Sequence, residues 1–391
     1  MHLLLKLLAV LTAALAGAGI AYYALSLYGT FRFLRDCRLA RANSPRFTPP
    51  ISILKPLRGT DPEMYESFRS HCLQDYPDYE IIFGVTDPND PAVALVRRLI
   101  GDFPGRKIQL LVFPRIFGTN VKVSNLMQMA RVARYEYLIV NDSDIRVPRA
   151  YLRSVVASFA DSGVGMVTCL YRGIASPTLG SQLEALGIST DFCPAVLAAR
   201  ELQGVRFGLG STLAFSRKAL DAIGGFEPLL DYLADDYELG ARIAKAGLEV
   251  VLSDVVVETF LPRYTFGEFL RHQLRWARTI RDSRRWGYAG LIVTFPLVWA
   301  GLAVAFATGA AWSWILLAVA ILARLLVAGI AGVTVLQDRQ VLRNFWMIPL
   351  RDVVALLVWI ASFFGHTIHW RGMEFELKNG KLRAMETDVS V

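Results

Sequence analysis

Charge is scarce in this chain: Asp, Glu, Lys and Arg make up 19% of its 391 residues, against roughly 25% in soluble globular domains. The shortage is local, because both ends are apolar and the middle is ordinary. Only four cysteines occur, Cys37, Cys72, Cys169 and Cys193. None stands in a CxxC or other metal-ligand spacing, so they read as reduced thiols of a cytosol-facing protein. No nucleic-acid-binding module, internal repeat or low-complexity segment is present. The net charge of +8 therefore points away from nucleic acid and toward anionic lipid or a phosphate-bearing substrate.

What the chain has is apolar length. Its hydrophobic content is 54%, and the length suffices for one substantial soluble core plus several membrane spans. Leu3 to Leu27 is almost wholly apolar and continues into Tyr22, Tyr23 and Tyr28. That fits a transmembrane anchor over 1–30 with an interfacial aromatic belt better than a cleaved signal peptide. Arg32, Arg35, Arg38, Arg41 and Arg46 follow in a basic linker over 31–47. The positive-inside rule puts this flank, and the domain after it, in the cytoplasm. Two further apolar runs, Ala289 to Thr308 and Ala311 to Val335, share a short uncharged link. A third, Val353 to Ile368, either spans or lies re-entrant within a membrane region over 289–370. Arg339, Arg343 and Arg351 before it suit a cytoplasmic loop. The tail over 371–391 carries Arg371, Lys378, Lys381 and Arg383, so a full third span would put basic residues outside, and the side of the tail stays open. His366 and His369, spaced i, i+3 in this apolar stretch, read as histidines of the bilayer interface rather than metal ligands.

Residues 48–262 alternate between short apolar runs and helical patterns. Ile51–Leu54, Glu80–Val85, Ile108–Phe113 and Tyr137–Val140 predict strands. The segments 63–73, 92–100 and 123–133 predict helices between them. This alternation argues for an α/β fold, a mostly parallel sheet with helices on both faces. Ligands of such sheets bind beyond the carboxyl ends of the strands. Asp87 follows the second strand and either holds a ribose or base edge or belongs to a turn. Asp142 and Asp144 follow the fourth, in Asn141-Asp142-Ser143-Asp144. They can converge on a hard divalent cation, Mg or Mn, that bridges a diphosphate, or they form a solvated turn. Asp235-Asp236 opens a helix, so Asp236 is a general base or a plain N-terminal acid. Lys122 and Asn125 reach either the nucleotide or solvent. Gly208-Leu209-Gly210-Ser211-Thr212 is a small-residue turn that permits close backbone approach to a ligand. Arg275 and Trp276 lie in an Arg-rich segment over 263–288. They clamp a diphosphate and line an acceptor pocket, or belong to a basic amphipathic helix on headgroups.

The order of these motifs resembles glycosyltransferases of families 2 and 21. The carriers are SILKPLRGTDP (52–62), YPDYEIIFGVTDPNDP (76–91), KVSNLMQM (122–129), NDSDIRV (141–147), LADDYELG (233–240) and Arg275-Trp276. The resemblance implies a GT-A (Rossmann-like) domain between membrane segments, an inverting transfer from a UDP-sugar to a membrane lipid, and location in a bacterial inner membrane. It implies that Asp87 contacts the nucleotide and that Asp142 and Asp144 hold the metal-bound diphosphate. Asp236 would be the base, and Arg275 and Trp276 would complete the membrane-side signature. Within that resemblance, Cys193-Pro194 and the DSD motif look more like the branch acting on hopanoid polyols than the ceramide glucosyltransferases. A processive polysaccharide synthase is a further alternative, which the small number of spans disfavours.

Overall fold

The computed structural model describes residues 2–42, 47–370 and 373–384. Arg46 and Arg371 lie outside them. In chain order, α1 (His2–Ala42) is followed by β1 (Ile51–Pro56), α2 (Met64–Cys72), β2 (Tyr79–Val85), α3 (Ala92–Asp102), β3 (Lys107–Val112), α4 (Val121–Val132), β4 (Tyr137–Val140), β5 (Ile145–Arg146), α5 (Tyr151–Ala157) and β6 (Val164–Ile174). Then come α6 (Leu179–Gly187), α7 (Cys193–Gln203), β7 (Leu213–Ser216), α8 (Arg217–Ala222), α9 (Asp235–Lys245) and β8 (Glu249–Phe260). The remaining helices are α10 (Phe266–Ser283), α11 (Arg285–Ala289), α12 (Pro296–Phe306), α13 (Ala311–Val327), α14 (Gln340–Asn344) and α15 (Ile348–Ser362). Three short strands, β9 (Thr367–Trp370), β10 (Met373–Lys378) and β11 (Lys381–Ala384), close the described chain.

These elements form two compact units. One holds residues 39–174, 205–262 and 366–391; the other holds 1–38, 175–204 and 263–365. The first unit is built on an eight-stranded sheet of order β3-β2-β1-β4-β7-β6-β8-β5. Its β3-β2-β1-β4 half is parallel, as the βα alternation requires. The other half is mixed, because β7 runs antiparallel to both β4 and β6. Strand alternation gives the sheet two apolar faces. Ile51, Ile53, Ile81 and Phe83 pack with Phe68 and Val96 on one side. Leu54, Ile82, Leu138 and Val140 pack with Leu126 and Met129 on the other.

The second unit carries the membrane segments. Among the described residues, three helical stretches are long and apolar enough to cross a bilayer: His2–Ala42, Ala311–Val335 and Gln340–Ser362. A fourth, Arg285–Thr294 with Pro296–Phe306, is bent by 56° at Pro296, which lacks the amide hydrogen a continuous helix needs. The basic stretch after the first apolar run continues α1 as helix to Ala42, since no Pro or Gly interrupts 31–42. Residues 175–204 join the membrane unit. The third apolar run differs from its expected bounds: its helix ends at Ser362, and 367–370 form β9, paired with β10. The backbone of His366 and His369 is thus not helical, and their i, i+3 spacing defines no common face.

Arg324 holds this unit together from inside an apolar helix. Its side chain is 2% exposed and donates to both oxygens of Asp352, to Asp191 Oδ1 at 2.6 Å and to the Thr190 carbonyl at 2.7 Å. α13, α15 and the turn between α6 and α7 meet there.

Candidate active site

Strand order reverses between β1 and β4, and a cleft opens beyond their carboxyl ends, where doubly wound sheets bind ligands. It is lined by Pro56, Leu57, Arg58, Val121, Lys122, Asn125, Asp142 and Ser143. After β4 the chain turns sharply, and Ile145 pairs with Thr259 on β8. That pairing fixes Asp144, whose carboxylate accepts a hydrogen bond from the Thr259 hydroxyl. Burial, with Asp142 and Asp61 close by, pushes the Asp144 carboxyl up to about 6. Asp61, from the loop after β1, accepts a hydrogen bond from the Ser143 hydroxyl.

Lys122 projects from the first turn of α4 and ties two parts of the site together. Its Nζ lies 2.8 Å from Asp142 Oδ1 and 3.4 Å from Asp235 Oδ2. Burial disfavours its charge, but Asp142, Asp235 and Asp236 outweigh that and hold it above the usual lysine range. Asp235 and Asp236 open α9. Burial pushes Asp236 up, Asp235 adds to the rise, and Lys122 opposes it. The Gly208–Thr212 turn explains how the two acidic motifs approach each other. A methyl group on Gly210 would sit 3.0 Å from Asp236 Oδ2 and 3.4 Å from Asp142 Oδ2. Glycine leaves that space to the carboxylates.

Asp142, Asp144, Lys122 and Asp236 are therefore gathered in one place. Asp87 stands at the end of β2, one strand removed from β4. It is exposed, and its Oδ1 accepts from the Asn89 amide at 2.8 Å, so the turn geometry is present while the side chain faces outward. Neighbouring Thr86 contacts Asn125 of the cleft at 3.4 Å. Arg275 and Trp276 belong to α10 of the membrane unit. There Trp276 packs against His272, with ring centroids 5.2 Å apart, and His272 is 3.0 Å from buried Glu184.

Several residues emerge that sequence reasoning passed over. Lys55, the penultimate residue of β1, is fully buried, and its Nζ donates to the Asp142 carbonyl at 3.0 Å. Burial lowers its pKa to about 7, against the pull of Asp144 and Asp142. A lysine inside an apolar strand run was the available signal. Asn141 joins the fourth strand to its surroundings: its amide donates to Ser211 O at 2.7 Å and to the Tyr151 hydroxyl at 2.9 Å, and its Oδ1 meets His71 at 3.2 Å. Truncating it strands several buried polar groups at about 1–3 kcal/mol each. Asn141→Ala is expected to lower the thermal midpoint of the purified protein and reduce activity together; an unchanged midpoint would contradict this network's role. Asn120 caps α4 through the Val123 amide and donates to Tyr232 O at 2.7 Å, steadying the loop before Asp235.

Chemically, the site offers hard oxygen donors, a buried cation and a carboxylate poised to take a proton. Among the described residues no group of three or more His, Cys, Asp or Glu side chains forms a metal cage. Two carboxylates are what Mg-type ions use when phosphate oxygens complete the shell.

A family model described as glycosyl transferase family 21 matches residues 11–383. The chain is 28% identical over 206 residues to ceramide glucosyltransferase 1 of Caenorhabditis elegans, covering 52% of this chain and 44% of that protein. It is 36% identical over 101 residues to a ceramide glucosyltransferase of Komagataella phaffii, covering 25% and 20%. The match thus spans less than half the length of these relatives. Among solved structures, the mannosyltransferase PcManGT of Pyrobaculum calidifontis, in complex with GDP-Man and Mn2+, superposes with a TM-score of 0.51 at 19% identity, over 90% of this chain and 99% of that one. This likeness concerns the fold, the GT-A arrangement expected above.

Proposed function

Because the chain belongs to glycosyl transferase family 21, we propose that it transfers one hexose from a UDP-sugar to a hydroxyl of a membrane lipid with inversion at the anomeric carbon. The observation that carries this reading is the meeting of Asp142 and Asp236 beside Gly210, with Lys122 near both. Asp236 is the base: it takes the lipid hydroxyl proton as that oxygen attacks the anomeric carbon and the bond to UDP breaks. Its raised pKa brings it toward the operating pH, where base catalysis is most effective. An α-linked donor then yields a β-glycoside.

Asp142 and Asp144 fit a divalent ion, Mg or Mn, because burial and the neighbouring Asp142 raise the Asp144 carboxyl, and a cation between the two carboxylates relieves that crowding. Such an ion, when bound, neutralises charge on the departing diphosphate. Lys122 supplies a fixed positive charge beside it, and Lys55 holds the Asp142 backbone. Asp87 contacts the nucleotide, and Arg275 and Trp276 serve the membrane side of the reaction. Asp144→Ala is expected to raise the divalent-ion concentration for half-maximal transfer by at least about 10-fold. An unaltered metal response would remove Asp144 from this role.

The acceptor is a lipid alcohol. The names of the matched relatives favour ceramide, with UDP-glucose as donor. Cys193-Pro194 and the second aspartate of the DSD motif are what favour a hopanoid polyol, with UDP-N-acetylglucosamine as donor. The arginines at the end of α1 favour a catalytic unit facing the cytoplasm of a bacterial inner membrane. Mass spectrometry of lipids formed with each donor and acceptor separates these readings. A product with one sugar on one lipid supports the proposal; a growing polymer would replace it with a polysaccharide synthase.

A further inference from the structure

Composition gives Gln340–Ser362 the length and hydropathy of a membrane span, yet both of its ends are tied to the catalytic side. Its amino end is held by Gln340, whose Oε1 accepts from the Ala175 amide at 3.0 Å. Ala175 is covalently joined to Ile174, the last residue of β6 in the catalytic sheet. Its carboxyl end leads within five residues to β9, and the β9–β11 sheet belongs to the catalytic unit. Leu382 N donates to Asp231 O at 2.7 Å and Leu233 N to Gly380 O at 3.1 Å. Leu233 shares a small core with Ile368, Phe375, Leu377 and Leu382. A folded sheet cannot be divided by a bilayer, so the chain returns to the catalytic side before residue 366.

The neighbours of α15 agree. It runs alongside α10, from Arg351 against Gln273 at 3.2 Å to the Phe364 carbonyl against Arg278 at 2.7 Å, and Arg281 donates to the carbonyls of Ser362 and Gly365. α10 carries Arg271, Arg275, Arg278 and Arg281, a helix suited to headgroups and too charged for hydrocarbon. The opposite side of the segment exposes Trp346, Leu350, Val353, Leu357, Ile360 and Phe364, spaced three and four apart in a single stripe. The crossing helices touch this segment, through Arg324 of α13 on Asp352 and through the Tyr288 carbonyl of α11, which accepts from Trp359 Nε1 at 2.9 Å, and they also pack on one another. α1, α12 and α13 meet at fully buried Ala16, Ala300 and Ala320, the small residues that let membrane helices approach closely.

We propose that Gln340–Ser362 does not cross the bilayer: it enters and leaves on the catalytic side and turns its apolar stripe to the acyl chains of that leaflet. The chain then crosses three times, through α1, the bent α11–α12 and α13. Residues 307–310 lie on the far side, and the tail lies with the catalytic unit. This stands apart from the sugar chemistry.

The test is labelling with a membrane-impermeant maleimide in sealed vesicles of single orientation. Full-length protein carries Cys37→Ser, which removes the one cysteine that is not buried. Four single variants are made: Gly105→Cys in the catalytic unit, Thr308→Cys, Arg339→Cys and Glu376→Cys. We expect Gly105→Cys, Arg339→Cys and Glu376→Cys to label together. Thr308→Cys should label only from the other face or after permeabilisation. Arg339→Cys and Glu376→Cys on opposite faces would overturn the proposal, as would Thr308→Cys labelling with Gly105→Cys. Retained transfer activity in each variant ties its labelling to the folded protein.

Discussion

Asp236→Asn is expected to lower sugar transfer by about 10²–10⁴-fold, the usual contribution of a positioned general base. The amide has nearly the carboxylate's shape, so the hydrogen bond from the Tyr237 amide to Oδ1, 2.7 Å long, can persist. What disappears is the ability to take a proton. Donor binding is expected to stay within a few fold, because the diphosphate is assigned to Asp142, Asp144 and Lys122. The measurement is initial rate with saturating lipid, paired with UDP-sugar binding by calorimetry. Asp235 provides the contrast. It is closer to Lys122, and Asn120 also reaches its Oδ1 at 3.5 Å. Asp235→Asn should therefore perturb donor binding more than Asp236→Asn does. Near-normal turnover in Asp236→Asn would reject the base assignment. Activity should also fall as the pH drops through about 6, the value to which burial and Asp235 raise the Asp236 carboxyl. The protonated form predominates below that pH and cannot accept the acceptor's proton.

The second large effect concerns folding. Arg324→Ala removes the cation that pairs directly with Asp352 and contributes to satisfying Asp191. Breaking a buried ion pair from one side costs about 3–5 kcal/mol, because the partner charge stays behind. The detergent-solubilised protein should lose most of its thermal stability or fail to accumulate. The double variant Arg324→Ala/Asp352→Ala should recover part of the loss, since Arg351 Nε lies 3.2 Å from Asp191 Oδ2 and still compensates it. Thermal unfolding of the single and double variants measures this. A single variant as stable as the parent, or a double variant less stable than the single, would show that the network is not what holds α13 to α15.

Much of the catalytic unit was legible because its signals are local. The apolar runs became β1 to β4, and the residues just past β4 met the cleft, since strand ends and turns are set by nearby sequence. The convergence of Asp142 with Asp236 was anticipated from the family pattern. The spacing alone carried no sign of Gly210 as the point of contact. Lys55 was hidden because a buried lysine is recognised by what surrounds it, and its partner lies 87 residues away. The mixed half of the sheet was hidden for the same reason: β7 enters between β4 and β6 only through long-range pairing. The third apolar run ends earlier than expected because apolar Ile368 suits a helix or a strand equally, and pairing with β10 makes 367–370 a strand. Asp87 shows the opposite case, where an Asp- and Pro-rich turn looks as its local sequence suggests.

The central claim is that one carboxylate cluster moves one sugar onto one lipid with inversion. It is tested most directly by supplying isotope-labelled α-linked UDP-sugar and lipid acceptor to the purified protein, then reading the anomeric configuration of the product by NMR alongside the UDP released. A β-linked monoglycosyl lipid formed in one-to-one proportion with UDP is the predicted result. An α-linked product, or UDP released without glycolipid, would contradict the account.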